Sequence, residues 1–264
     1  MGKQKMDQAF QQVLENGDKA FVPYIMAGDG GLDQLTDQLQ FLEESGATVV
    51  ELGIPFSDPV ADGPTIQEAG IRALAEGVSL KAVLEKLAQS KQSRTIPVVL
   101  MTYMNPIYAY GVAAFAAACA KAGVDGLIIP DLPLEEEGII VGELQNNEIA
   151  LIRLAALTST KERLEKIAER TEGFLYAVTV TGTTGARSSF QKNLASHLEA
   201  LKAQCAVPVL AGFGVSTSEH VKELSAHCDG VVVGSRIVDA LHQGDKESIR
   251  SLIQSAKLTE QTKA

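Results

Sequence analysis

Along the chain, short unbroken apolar runs alternate with longer stretches in which apolar residues recur every three or four positions. Eight runs stand out: Phe21–Met26, Thr48–Leu52, Pro97–Met101, Gly126–Ile129, Ala150–Leu154, Phe174–Val178, Pro208–Ala211 and Val231–Val233. Aliphatic and β-branched runs of this length mark strands covered on both faces, as in a parallel sheet. Between them, Leu35, Leu39 and Leu42 line one helix face, as do Leu80, Val83, Leu84 and Leu87, and again Leu194, Leu198 and Leu201. Ser159-Thr-Lys-Glu162 and Ser216-Thr-Ser-Glu219 read as capping boxes, with the Ser oxygen accepting a backbone N–H and the Glu reaching back. Gly46, Gly77 and Gly123 fall where helices are expected to stop.

Strand followed by helix, eight times over, predicts an α/β protein built as a single (β/α)8 TIM barrel over residues 1–264, with an N-terminal helix. A doubly wound open sheet usually stops at five or six strands. The 264 residues also sit close to the ~250 typical of one closed barrel. The gap between the second and third runs is nearly twice the others. It holds the loop Gly53–Pro64 and an extra helix before the one expected at Ser79. Insertions after a strand fall on the C-terminal rim, where barrel active sites are built. The polar stretch Gln254–Ala264 reads as a frayed helix end.

Charge and composition narrow the partners. A formal net charge of −10 argues against nucleic acid or an anionic membrane surface. No apolar run reaches the ~18 residues of a membrane span, and the start lacks the apolar centre of a secretory signal. Cys119, Cys205 and Cys228 read as reduced packing residues of a cytoplasmic protein. His197, His220, His227 and His242 have no metal-type spacing and read as helix-surface residues, so no metal is expected.

Candidate chemistry lies at the strand ends. Glycine clusters follow the last three runs: Thr181-Gly-Thr-Thr-Gly185, Ala211-Gly-Phe-Gly214 and Gly234-Ser235. Glycine lets backbone N–H groups approach an anion, a helix N-terminus adds partial positive charge, and phosphate sites of this fold cluster after strands seven and eight. Gly212-Phe-Gly214 is a poor dinucleotide fingerprint, since the third glycine and an acid closing the next strand are missing. No lysine ends a predicted strand, which argues against a Schiff-base aldolase. Glu51 interrupts the run Thr48–Leu52, and a charge in a buried strand costs several kcal/mol unless it is paired or functional. Asp62 and Asp58, in Ser57-Asp-Pro-Val-Ala-Asp-Gly-Pro-Thr65, could be chemical or could merely turn the chain and cap a helix. Tyr176 could pack in the core or aim its hydroxyl at the barrel mouth.

The segment Glu51-Leu-Gly-Ile-Pro-Phe-Ser-Asp-Pro-Val-Ala-Asp-Gly-Pro-Thr-Ile-Gln67 closely resembles the signature of the tryptophan synthase α subunit family. Phe21–Asp29, Met101–Gly111 and Pro130–Pro133 resemble that family's first, third and fourth strand regions, so the likeness covers essentially the whole barrel. Gly30-Gly31 stands where the family commonly has a proline, and the loop Thr181–Phe190, read as a lid, carries Arg187 in a stretch whose composition varies in the family. The resemblance implies retro-aldol cleavage of indole-3-glycerol phosphate to indole and glyceraldehyde 3-phosphate. It implies Glu51 as the general acid–base, Asp62 at the indole N–H and Tyr176 in support. Tyr24, Met101 and Ile128 would line the indole pocket, Thr184 would join them in the substrate pocket, and Gly185, Phe213, Gly214, Gly234 and Ser235 would hold the phosphate. It also implies a β subunit partner in an α2β2 complex, met through Pro55–Pro59 and Met104–Tyr110. Pyridoxal phosphate would sit on that partner and no cofactor in this chain. The rival readings are a sugar-phosphate isomerase or epimerase, a flavin-phosphate barrel, or a non-catalytic barrel that only activates a β partner. None of the other enzymes gives a reason for the Glu51–Asp62 segment.

Overall fold

The structure, a computed structural model, describes residues 2–156, 158–178, 187–212 and 214–257. Its strands are β1 Ala20–Met26, β2 Val50–Gly53, β3 Val98–Met101, β4 Gly126–Ile128, β5 Ala150–Ala156, β6 Leu175–Val178, β7 Val209–Gly212 and β8 Gly230–Val233. Each pairs in parallel with the next, and β8 closes on β1 from Ala20↔Gly230 to Pro23↔Val233. The helices are α1 Gly2–Glu15, α2 Leu35–Glu44, α3 Pro64–Ala75, α4 Leu80–Ser90, α5 Met104–Tyr110, α6 Val112–Ala122, α7 Val141–Asn146, α8 Lys161–Arg170, α9 Arg187–Gln204, α10 Ser218–Ser225, α11 Ser235–His242 and α12 Lys246–Gln254. α3 is the extra helix expected after the second strand, and α1 the expected N-terminal one. No helix among the described residues is long and apolar enough to cross a membrane.

Period-two alternation sorts the strand residues into two layers. Val22, Val49, Val99, Ile128, Ile152, Phe174, Tyr176, Leu210 and Val232 point inward and pack together inside the barrel. Ile25, Val50, Leu52, Val98, Leu100 and Leu127 face the helices instead, with Leu39, Leu42, Val83, Leu87 and Phe115 against them.

α1 closes the N-terminal end. Met6 and Phe10 are its buried residues, and both join the barrel interior. The Phe10 and Phe174 rings lie 5.6 Å apart, and a Cβ at Gly173 would stand 2.1 Å from Met6 Cε. Lys3 Nζ donates to Glu172 across 2.6 Å.

The helix ends hold one correction. The side chains capping α8 and α10 are Thr160, accepting from Arg163 N–H, and Thr217, accepting from His220 N–H. Each helix starts one residue later than the Ser-to-Glu spacing requires, so neither capping box forms. Either neighbouring hydroxyl can cap, and the backbone decides which one does. Gly46, Gly77 and Gly123 do end helices, with φ of +93°, +74° and +71°. Part of the stretch read as a lid, from Arg187, belongs to α9.

Candidate active site

The inward layer breaks at the C-terminal mouth, where a cavity of about 310 Å³ opens. Tyr24, Glu51, Asp62, Ile66, Met101 and Tyr176 line one part of it, and Gly214, Ser216, Gly234, Ser235 and Arg236 the other.

Glu51 is fixed by register. It lies beside Tyr24 of β1 and Val99 of β3, two positions above Val49, and so points inward. Only 1% of it is exposed, and its Oε2 has no hydrogen-bond partner. Burial, with a smaller push from Asp62, raises its carboxyl to about 8. Asp62 approaches from the loop between β2 and α3, and burial raises it to about 6 while a hydrogen bond from Tyr103 pulls it down. Near neutral pH the two acids therefore differ: Glu51 is mostly protonated and Asp62 mostly ionised. Pairs of carboxyl groups pushed apart in this way divide acid and base work between them.

Tyr103 was not singled out from the sequence. It precedes α5, its Oη accepts the Ala61 N–H at 3.0 Å, and the same hydroxyl meets Asp62. One side chain thus holds both the loop and the carboxylate. The steric roles of Gly53 and Gly212 were also missed. A Cβ at Gly53 would stand 1.9 Å from Tyr24 Oη, and one at Gly212 would stand 2.3 Å from the Tyr176 ring. The two glycines leave room for the two tyrosines. A glycine ending a strand carries no mark of the ring it admits, so no sequence signal separates these from ordinary punctuation.

At the far side of the cavity, Gly214 has φ +79°, and Gly234 leads directly into α11. The first N–H groups of a helix have no partner within it, which leaves those of Ser235 and Arg236 available beside the cavity. Arg236 is the one cation among the described lining residues, and its Nη2 donates to Ser248 Oγ at 3.1 Å. Ser216, freed from capping, lines the cavity instead. Ile128 is fully buried beside Met101 and does not line the cavity. Thr184, Gly185 and Phe213 lie outside the described residues. Among the described residues no cluster of His, Cys, Asp or Glu could hold a metal ion.

A larger cleft, of about 450 Å³, lies between the ends of β4 and β5 and α8. Its acids are engaged elsewhere: Asp131 accepts the Met104 N–H, and Glu137 pairs with Arg153 and Arg170. It has no counterpart to the Glu51–Asp62 pair.

Comparison with known proteins identifies the family. The profile of the tryptophan synthase alpha chain family matches residues 10–264. A tryptophan synthase alpha chain of Oceanobacillus iheyensis is 58% identical over 97% of this chain and 98% of its own length. One of Bacillus cereus is 52% identical over 99% of this chain and all of its own. The crystal structure of tryptophan synthase subunit alpha from Legionella pneumophila superposes with a TM-score of 0.87 at 34% identity, covering 96% of this chain and 98% of that one. The chain belongs to the tryptophan synthase alpha chain family, lyases of tryptophan biosynthesis that cleave indole-3-glycerol phosphate.

Proposed function

We propose that Glu51 and Asp62 divide the cleavage of indole-3-glycerol phosphate between them, and that the Gly234–Ser235 end of the cavity holds the phosphate. The observation that carries this reading is the pair of carboxyl groups at one cavity, one raised to about 8 and the other to about 6. Breaking the bond from indole C3 to the glycerol chain requires a proton on C3. The protonated Glu51 carboxyl gives it. The carboxylate left behind then takes the proton of the side-chain hydroxyl as that carbon becomes the aldehyde, so Glu51 ends as it began. Positive charge develops on the indole nitrogen as C3 gains its proton. Asp62, ionised, accepts the N–H and stabilises that charge in a site largely shielded from water. Tyr24, Met101 and Tyr176 give the ring flat walls. The backbone of Gly214, Gly234 and Ser235 binds the phosphate, together with Gly185 and Phe213.

The whole chain acts as one domain, as an α subunit beside a pyridoxal-phosphate β subunit in an α2β2 complex. Val60, next to Pro55–Pro59, and Tyr108, within Met104–Tyr110, are 74% and 52% exposed, which supports those two loops as the docking face. Three free cysteines support a reducing, cytoplasmic setting.

The test is indole release from indole-3-glycerol phosphate, with and without a tryptophan synthase β subunit. Indole formation that rises when the β subunit is added supports both the reaction and the partner. Full activity in a folded double variant, Glu51→Gln with Asp62→Asn, removes both carboxylates from the chemistry.

A further inference from the structure

α3 joins the two ends of the cavity. Asp62 and Gly63 lead into it, Ile66 of its first turn lines the cavity, and its side packs on β1 and on α11, which opens with Ser235. What holds α3 in place is slight. Its buried residues are Ile66, Ala69, Gly70 and Ala73, and Gly63 at its N-terminus supplies no side-chain cap. Small residues allow close approach but offer few knobs to fix rotation or axial shift.

Against that smooth face stands one specific bond. Arg72 Nε donates to Asp29 Oδ1 and its Nη2 to Oδ2, each at 2.7 Å. The Asp29 side chain is only 10% exposed. Its backbone is held in a tight turn, with Asp29 N–H donating to Met26 O and the flanking Gly28 and Gly30 at φ +82° and +84°. Glu68 and Asp239 add longer-range attraction on Arg72. A two-pronged guanidinium–carboxylate bond fixes angle as well as distance, which the small-residue face cannot. Arg72 lies about 12 Å along the helix from Pro64, so a tilt at one end reappears at the other. The movement has a direct route to the site, because Gln67 Nε2 of the same helix donates to the Asp62 carbonyl at 2.8 Å.

We propose that Arg72 and Asp29 are a positioning pair that sets where Asp62 stands over the cavity, acting through the register of α3 on the wall of the barrel. This rests on the reading of Asp62 as the group that meets the indole N–H.

The test is the pH dependence of indole release by the full chain carrying Arg72→Gln, Arg72→Lys or Asp29→Asn, with activity normalised to folded protein by circular dichroism. Arg72→Gln and Asp29→Asn are expected to lower kcat about tenfold, since misplacement by about 1 Å is enough for a loss of this order or more. KM is expected to change less than about threefold. The acidic limb of kcat/KM is expected to move to lower pH as Asp62 turns toward water, because burial, the larger cause of its raised value, outweighs the Tyr103 hydrogen bond that lowers it. Arg72→Lys, which keeps the charge, recovers part of the rate. Unchanged kcat, or a loss with the acidic limb unmoved, overturns the proposal. Asp62→Asn in the same assay separates the two layers of the argument. If it cleaves at the normal rate, the assignment of Asp62 falls and the positioning role with it. If it is inactive while Arg72→Gln is normal, only the positioning role falls.

Discussion

The barrel buries one carboxyl group near each end and treats them oppositely. At the closed end Asp125 is 3% exposed, yet it accepts the Val98 N–H at 2.9 Å, with Lys5 and Arg94 in electrostatic reach. Burial raises it to about 6 while those partners pull it down. At the open end Glu51 is as deeply buried, with one oxygen bonded to nothing, and it rises to about 8. The closed end surrounds its carboxyl with partners and fills the remaining space with Met6, Phe10 and Phe174. The open end leaves a carboxyl unsatisfied beside an unfilled cavity. Stability is concentrated at one end of the same eight strands, and reactivity at the other, where it is maintained at a cost to stability.

Glu51→Gln tests that contrast most severely. Cleavage turnover is expected to fall by at least ~10²-fold, the low end for loss of a general acid–base. Stability is expected to move the other way. The folded carboxyl at about 8 holds a proton that the unfolded chain, near its ordinary value of 4.5, has released at pH 7. The wild-type fold therefore loses stability as pH rises from the unfolded value through the folded one, by about 3 kcal/mol at pH 7. A neutral amide removes that loss. Melting temperatures measured from pH 5 to 9 should show the variant gaining on the wild type as pH rises, and a constant difference would count against Glu51 as a strained acid.

Phe10→Ala addresses the opposite end. Removing a fully buried ring costs about 3–5 kcal/mol, which denaturant unfolding will measure, while kcat per folded molecule should stay within about twofold. A large fall in kcat would show that the two ends are not separable.

The smallest expected effect sharpens the picture within the open end. Tyr103→Phe removes the hydroxyl that lowers Asp62, so the acidic limb of kcat/KM, near pH 6 in the wild type, should move to higher pH with a rate change of a few-fold at neutral pH. An unmoved limb would show that Tyr103 serves the Ala61 N–H alone.

Much of this was legible in the sequence, and the limits have physical causes. Eight apolar runs separated by helical periodicity are enough to count strands, and a charge inside one run is enough to mark Glu51. Period-two alternation also turns Ile128 inward correctly. It does not say how high along the barrel axis an inward residue sits, because the stagger between strands fixes that level. Met101 reaches the cavity, and Ile128, its register neighbour, does not. Tyr103 was hidden for a related reason: it follows a strand, and the direction of a loop side chain is set by contacts made elsewhere. Gly53 and Gly212 were hidden because what matters at each is the ring that enters the missing side chain's space.

The plug at the closed end also has a consequence for how the chain is made. α1 is made before the residues it packs against: Lys3 waits for Glu172, 169 residues behind it, and Met6 waits for Gly126 and Gly173. At ~5–20 residues per second that interval is on the order of ten to thirty seconds. Throughout it Met6 and Phe10 travel exposed on a short amphipathic segment that has nothing yet to seal. An element made well before its partners is thus among the last to find its place, and its apolar face stays uncovered until the strands it seals have been made.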